Sequence, residues 1–288
     1  MIDLHMHTNV SDGYDSPEEL LKKCEEAGLS IISITDHNTV GQYEELAKIN
    51  TSTLFSGKII KGIELDTVID GLAIELLVYD YDIAKMKSWV ENRYKSRAER
   101  QVITFNAVCE KCREHNIKIQ ELEWNPDQEY AHSALYRMIM ACEENRDHPA
   151  LQMDSYREFY RVCSTDRHHP LYVDLSIVYA SIDEVVDIAK YAGGKVFLAH
   201  IFYYNIENKE EFLNDMFQRY NLDGVEVYHY SFTEEQIDWL QNYCYTNKLL
   251  MSGGSDYHGE GARDCELGVG KGLYTISEKL IEDWYSEL

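Results

Sequence analysis

Seven short apolar runs punctuate the chain, most of them separated by helix-like stretches, and the residues that close them constrain the fold more than anything else. His7, His37, Glu64, His200 and Asp256 all fall at or just past the C-terminal end of such a run. Apolar, β-branched runs alternating with amphipathic helical segments predict an α/β fold with parallel strands, and barrels of this kind gather their polar site residues at that one rim. Core histidines scattered for packing alone would not choose one edge.

The first run, Ile2 to His7, sets the pattern. As a strand it turns His5 and His7 to the same face, where two imidazoles can share one ion. Asp12 follows in a turn that Gly13 helps to close. Ser16, Pro17 and Glu19 then form a capping box for a helix that stops at Gly28. The run Ser30 to Thr35 leads into Asp36 and His37, and a helix near Gln42 to Ile49 precedes a strand at Lys58 to Ile63, with Glu64 at its end. A further strand, Ala73 to Tyr79, carries Glu75. After Pro170 the alternation resumes with the strands Lys195 to Ala199, Leu222 to Val227 and Leu249 to Met251, ending in His200, Tyr228-His229 and the stretch Ser252 to Gly259. The expected architecture is a distorted (β/α)7 barrel made of residues 1–81 and 166–288.

Residues 82–165 break the alternation with long, charged, helix-like segments, and read as a helical insertion. From Lys85 to Arg100 there are six basic residues against two acidic ones, although the whole chain carries 27 basic and 51 acidic residues and a formal charge of -24. Arg93, Arg97 and Arg100 have the spacing of one helix face, which reads either as a solvated face with local salt bridges or as a basic flank beside an anion site. The overall acidity disfavours capture of long nucleic acid or of an anionic membrane, so an anionic substrate needs local cations. Seven scattered cysteines fit reduced thiols, with Cys109 and Cys112 structural rather than zinc-binding. A strand starting directly after Met1, and no long apolar span, predict a cytoplasmic protein.

Taken together, Asp3-Leu-His5-Met-His7-Thr with Ser11-Asp12-Gly13, Ile34-Thr-Asp-His37-Asn, Gly62-Ile-Glu64, Leu198-Ala-His200 and Gly254-Ser-Asp256-Tyr-His258-Gly259 resemble the PHP (polymerase and histidinol phosphatase) domain of metal-dependent phosphoesterases. Within that family the likeness is greatest to the standalone nucleoside 3',5'-bisphosphate phosphatases that also trim short RNA. Arg97-Ala-Glu-Arg100 and the stretch Leu222 to His229 support that branch. The resemblance implies up to three divalent ions: His5, His7, Glu64 and Asp256 for the first, Glu64 and His200 for the second, Asp12, His37 and His258 for the third. Imidazole and carboxylate without thiolate suit manganese, iron or zinc.

Three departures from the family pattern stand out. Glu75 occupies a position where relatives carry a histidine ligand of the second metal. His132-Ser133-Ala134 replaces an Arg-x-His pair for substrate phosphate, leaving Arg137 nearby, and Ile201 replaces a proline after His200. His132 is read either as a substitute phosphate contact or as a helix-surface residue, and His168 and His169 as exposed loop residues. The expected reaction is hydrolysis of a small phosphorylated substrate, a nucleotide among the candidates, by a metal-bridging hydroxide, with either metal-bound water or His229 protonating the leaving group. Arg97, Arg100 and Arg137 are the candidate phosphate contacts, together with His132 on the first of its two readings. The alternatives are an amidohydrolase-type C–N hydrolase, which has no use for the third set, and a metal-stabilised binding module without turnover.

Overall fold

Asp70 and Gly71 join two eight-residue strands by a two-residue turn with both residues at positive φ (47° and 75°), the geometry that an Asp-Gly pair favours and that folds a chain back on itself. The computed structural model describes residues 1–153, 155–262, 265–268 and 275–285. Its strands are β1 (Ile2–Asp3), β2 (Ile31–Ile32), β3 (Lys58–Ile59), β4 (Gly62–Ile69), β5 (Leu72–Tyr79), β6 (Ala180–Ser181), β7 (Lys195–Leu198), β8 (Gly224–Tyr228) and β9 (Leu250–Gly253). The helices are α1 (Pro17–Glu26), α2 (Gly41–Leu46), α3 (Ile83–Arg93), α4 (Arg97–Glu114), α5 (Ala131–Met140), α6 (Tyr156–Thr165), α7 (Ile182–Tyr191), α8 (Lys209–Arg219) and α9 (Glu234–Asn247).

The strands form two sheets, β1-β2-β3 and β6-β4-β5-β7-β8-β9. Backbone contacts join them into a ring. On one side His37 and Glu64 form a parallel bridge and Glu64 N donates to Thr35 O, so β3 and β4 are one broken stave beside the β2 segment. On the other, Leu4 N donates to Gly253 O, Asp256 N to His5 O and His7 N to Tyr257 O, tying the start of the chain to the end of β9. The ring has the seven staves expected, in an α/β fold. One of them is reversed: β5 is antiparallel to both β4 and β7, because the Asp70-Gly71 turn leaves no room for a crossover helix.

Apolar side chains fill the ring and its outer faces. Ile2, Leu4, Leu77, Tyr79, Phe197 and Ala199 pack inside the staves, while α7, α8 and α9 cover β4, β5, β7 and β8 with residues such as Val185, Leu213 and Leu240. The expected capping box at Ser16 is present, and Ser181 with Glu184 and Thr233 with Gln236 form two more. A fourth, Ser96 with Glu99, starts α4 and separates it from α3, so the single helix face expected for Arg93, Arg97 and Arg100 does not exist. Arg93 ends α3 and pairs with Glu184, whereas Arg97 and Arg100 open α4. Helices α4 to α6 share a core of Val108, Leu135, Ile139 and Phe159 with three buried free thiols, Cys109, Cys112 and Cys163, which pack as small apolar groups. No described helix is long and apolar enough to cross a membrane.

Candidate metal centre and substrate cavity

Glu64 lies third in β4, not at its end as the sequence reading expected, because the stave continues to Ile69. Its carboxylate is fully buried and is the hub of the site. Oε2 stands 3.0 Å from His5 Nε2, 3.2 Å from His7 Nε2 and 3.4 Å from His37 Nε2, while Oε1 stands 2.9 Å from His200 Nε2. Asp256 Oδ1 approaches His5 and His7 Nε2 at 3.4 and 3.3 Å, and Glu75 Oε2 lies 3.2 Å from His200 Nε2. On the far side Asp12 Oδ2 is 3.1 Å from His258 Nε2 and 3.9 Å from His37 Nε2. The donor atoms fall into four overlapping groups within which all lie less than 4.8 Å apart: His5, His7, Glu64 and Asp256; Glu64, Glu75 and His200; His7, Asp12, His37 and His258; and His37, Asp66 and Glu75.

Neighbouring groups aim these side chains. His5 Nδ1 donates to Glu226 Oε1 at 2.7 Å, which leaves Nε2 toward Glu64, and Glu226 Oε2 also accepts from His200 N. His258 Nδ1 donates to Asp256 O in the loop that follows β9, turning Nε2 to Asp12. A carboxylate or carbonyl behind a ligating imidazole fixes its tautomer in this way. Asp36 accepts from Thr8 N, Thr8 Oγ1 and Ser11 Oγ, which shapes the turn bearing Asp12. His200 and Asp256 adopt positive φ (22° and 53°), a strained conformation for side-chain-bearing residues that the surrounding hydrogen bonds hold in place.

The electrostatics of this cluster fit cations. Burial alone would lower the His5 imidazole, but Glu64 and Glu226 push it up to about 10. Burial and then the neighbouring His258 push His7 down to about 3. Burial and then Glu64 raise the Glu75 carboxyl to about 7. Both ring nitrogens of His7, Nδ1 of His37 and Nδ1 of His200 are buried without a hydrogen-bond partner. Buried, mutually opposed ionisable groups with orphaned nitrogens are stable when positive ions sit among them, and this donor set of imidazole and carboxylate suits borderline and hard divalent metals.

The cluster floors a cavity of about 680 Å³ roofed by α4, α5 and α6. Lys95, Arg97, Arg100, Arg157 and Arg161 line it, with Tyr130, Tyr156, Tyr160, Tyr179, Tyr203 and Tyr230 and with His132. Tyr130 Oη donates to Asp12 Oδ2 at 2.8 Å, Arg97 Nη1 donates to Ser11 O at 2.7 Å, and the Arg97 guanidinium stacks on Tyr130. The helical roof is thereby tied to the Asp12 turn. A family model described as the PHP domain matches residues 3–256.

The chain belongs to the PHP domain family. It is 25% identical over 262 residues to a 5'-3' exoribonuclease of Haemophilus influenzae, with 89% of each chain covered. It is 24% identical over 277 residues to a phosphoribosyl 1,2-cyclic phosphate 1,2-diphosphodiesterase of Eggerthella lenta, covering 92% of this chain and 97% of that one. Its fold matches a Bifidobacterium adolescentis protein described as a metal-dependent phosphoesterase, with a TM-score of 0.66, 21% identity and coverage of 98% and 94%. The expectation of a metal-dependent phosphoesterase holds on these findings.

Within the PHP site some expectations need correcting. His229 is wholly buried, with Nε2 3.1 Å from Asp256 Oδ2 and Nδ1 on Ser231, and it is not part of the cavity lining. That placement suits a residue that holds Asp256 and not a proton donor to substrate. Arg137 pairs with Glu129 on the outer surface and does not reach the cavity, because α5 turns its His132 face inward. His132 is only 4% exposed, so the helix-surface reading fails; its ring meets Tyr160 edge-on, and its Nε2 is buried without a partner. His168 is exposed and His169 half-buried, away from the cavity. Glu75 is on a central strand and faces the cavity.

The sequence reading missed Glu226, Asp66 and Tyr130. A carboxylate flanked by Val225 and Val227 in an otherwise apolar strand was the available signal for Glu226. Asp66 lines the cavity two residues after Glu64, so the strand alternation that points Glu64 inward points Asp66 inward too. Nothing local marks Tyr130, whose role depends on α5 folding over Asp12.

Proposed function

We propose that this protein hydrolyses phosphate esters of nucleotides or short RNA, with up to three divalent ions of manganese, iron or zinc held by the overlapping groups at the cavity floor. The first ion falls to His5, His7, Glu64 and Asp256, the second to Glu64, Glu75 and His200, and the third to Asp12, His37 and His258. The observation that carries this reading is the Glu64 carboxylate, which faces four imidazoles from three different staves and belongs to two of the donor groups. When bound, the ions supply Lewis acidity and activate water near neutral pH.

The chain's own residues do the rest. Arg97 and Arg100 stand over the Asp12 side of the floor and offer donors to phosphate oxygens, aided by Lys95. Arg97 Nε is buried without a partner, a donor in waiting for an anion. His132, which burial pushes down to about 4, is neutral at physiological pH and presents Nε2 to substrate without adding charge. The tyrosine rings give a base or ribose an aromatic wall, the kind of surface on which nucleotides stack. His229 and Glu226 hold Asp256 and His5 in register through the reaction.

The test is release of phosphate or mononucleotide from a panel of nucleoside monophosphates, bisphosphates, cyclic phosphates and 5'-phosphorylated di- to pentaribonucleotides with manganese. Turnover of nucleotide substrates is the expected result. Protein with verified bound metal that releases nothing from any of them overturns the reading and leaves the binding-module alternative.

A further inference from the structure

The donor group of His7, Asp12, His37 and His258 is built differently from the other groups on the floor. Each of those contains two carboxylates, whereas here Asp12 stands alone among three imidazoles and supplies the only negative charge. Cation affinity follows ligand charge and rigidity, so this site depends on how firmly one side chain is held. Asp12 lies in a run of turns between β1 and α1. The barrel holds the main chain of that run: Gly13 N donates to Thr8 O and Tyr14 N to His258 O, while Ser11 Oγ donates to Asp36 Oδ1.

The carboxylate itself is held from the other side, by the helical roof. Tyr130 Oη donates at 2.8 Å to Asp12 Oδ2, the same oxygen that His258 Nε2 approaches at 3.1 Å and His37 Nε2 at 3.9 Å. Tyr130 moves with the roof. Ala131 N donates to Gln101 Oε1 at 2.8 Å, which ties the start of α5 to α4, and Trp124, stacked on Phe105 of α4 at 4.3 Å, donates through Nε1 to Glu129 O. The main chain is thus fixed on both sides of the phenol. Arg97, the first residue of α4, lies 4.8 Å over the Tyr130 ring and donates to Ser11 O, one residue before Asp12. A second roof side chain therefore reaches the same turn.

We infer that Tyr130 is a positioning residue for the third ion, acting through Asp12, and that closure of the roof and occupancy of this one site therefore favour each other. The inference rests on the three-ion reading above for the ion itself, and adds the part of the chain that controls it. A phenol is protonated at ordinary pH and a carboxylate only accepts, so Tyr130 donates, keeps Asp12 ionised and leaves its remaining lone pairs for a cation. The acceptor behind His5 is Glu226, from a neighbouring stave, but the donor behind Asp12 comes from another layer, 118 residues along the chain. Whatever factor the closed roof adds to the affinity of the ion, the ion adds to closure. The other two sites are braced by Glu226 and Glu64 within the barrel and stay outside this coupling.

The experiment is a manganese titration of the metal-free full chain by calorimetry, with bound metal counted by elemental analysis, on wild type, Tyr130→Phe and Asp12→Asn. Phenylalanine keeps the ring under Arg97 and removes only the hydroxyl. Tyr130→Phe is expected to weaken one manganese equivalent by about 10- to 100-fold, the same equivalent that Asp12→Asn loses, and to leave the others within about twofold. Hydrogen exchange reads the reverse direction: manganese should slow the amides in the first turn of α5 about tenfold in wild type and less than about twofold in either variant. An isotherm unchanged in Tyr130→Phe, equal weakening of every equivalent, or manganese protection of α5 that survives in Tyr130→Phe overturns the inference. Phosphate release is measured on the same samples. Selective weakening in a protein that hydrolyses no phosphate ester sinks the hydrolase reading and keeps the inference, while turnover in wild type with an unchanged isotherm in Tyr130→Phe sinks the inference and keeps the reading.

Discussion

At the floor of the cavity ten candidate ligands crowd within a few ångströms of one another, each backed by a strand or a turn of the barrel, whereas along its helical wall five cations stand apart, braced mostly by aromatic faces and backbone carbonyls. The floor is over-determined: Glu226, His229, Asp36 and Tyr130 each hold a ligand or its turn in place. The wall is under-determined, with charge and ring surface waiting for a partner. On the proposed function the two regions divide the work: a rigid, pre-aimed floor sets the reaction and a sparser wall sets what is brought to it.

The sharpest way to break this division is at the floor. Asp256→Asn removes a carboxylate shared by His5, His7 and His229, and is expected to lower kcat by at least about 100-fold while leaving the far-ultraviolet circular dichroism unchanged. Near wild-type turnover would show that the floor does not depend on the first donor group. Removal of metal comes next. Without cations the buried carboxylates oppose one another, and the melting temperature should drop by on the order of 5 °C on verified metal removal, recovering with manganese. An unchanged melting temperature separates floor from fold and argues against multiple ions.

Glu75 sharpens the comparison, because it lies where floor meets wall. Glu75→Ala is expected to reduce metal content, read by elemental analysis, and to lower activity about 10- to 100-fold, whereas Glu75→His should retain metal with a shift toward zinc. Equal metal in Glu75→Ala and wild type assigns this residue to the wall.

The smallest effect belongs to the wall itself. His132→Phe should raise KM about tenfold and leave kcat and metal content alone. It also carries a pH signature. The folded imidazole is held down to about 4 against an ordinary 6.5, so its neutral, buried form contributes stability that is complete above pH 6.5 and is lost as pH falls toward 4. His132→Phe should therefore flatten the acid limb of a urea-melt series, by on the order of 3 kcal/mol at pH 4 relative to wild type. Identical acid limbs would place His132 in contact with solvent.

Much of the floor was legible in the sequence because its ligands are tied to local grammar. His5 and His7 alternate on one short strand segment, and His200 and Asp256 follow apolar runs, so strand periodicity and strand ends locate them without knowledge of the fold. The Asp70-Gly71 pair was equally legible as a hairpin, yet a reading that assumed parallel staves throughout passed over it. The Ser96-Glu99 capping box likewise announced the break that takes Arg93 away from the cavity.

By itself, then, the sequence determined the seven staves, the capped helices and the identity of the candidate ligands, since each depends on interactions within a few residues: side-chain alternation, turn chemistry and helix capping. Only the tertiary structure decided that β5 runs backwards through the ring, that Glu64 stands at the meeting point of four imidazoles, and that His229 lies buried behind Asp256, outside the cavity lining. It alone turned Arg137 out to solvent and brought Arg157 and Arg161 in, from a helix that follows Arg97 by about sixty residues. The reason is physical: which face of a helix meets a cavity is set by apolar packing among α4, α5 and α6, and that packing is a long-range property no window of sequence contains.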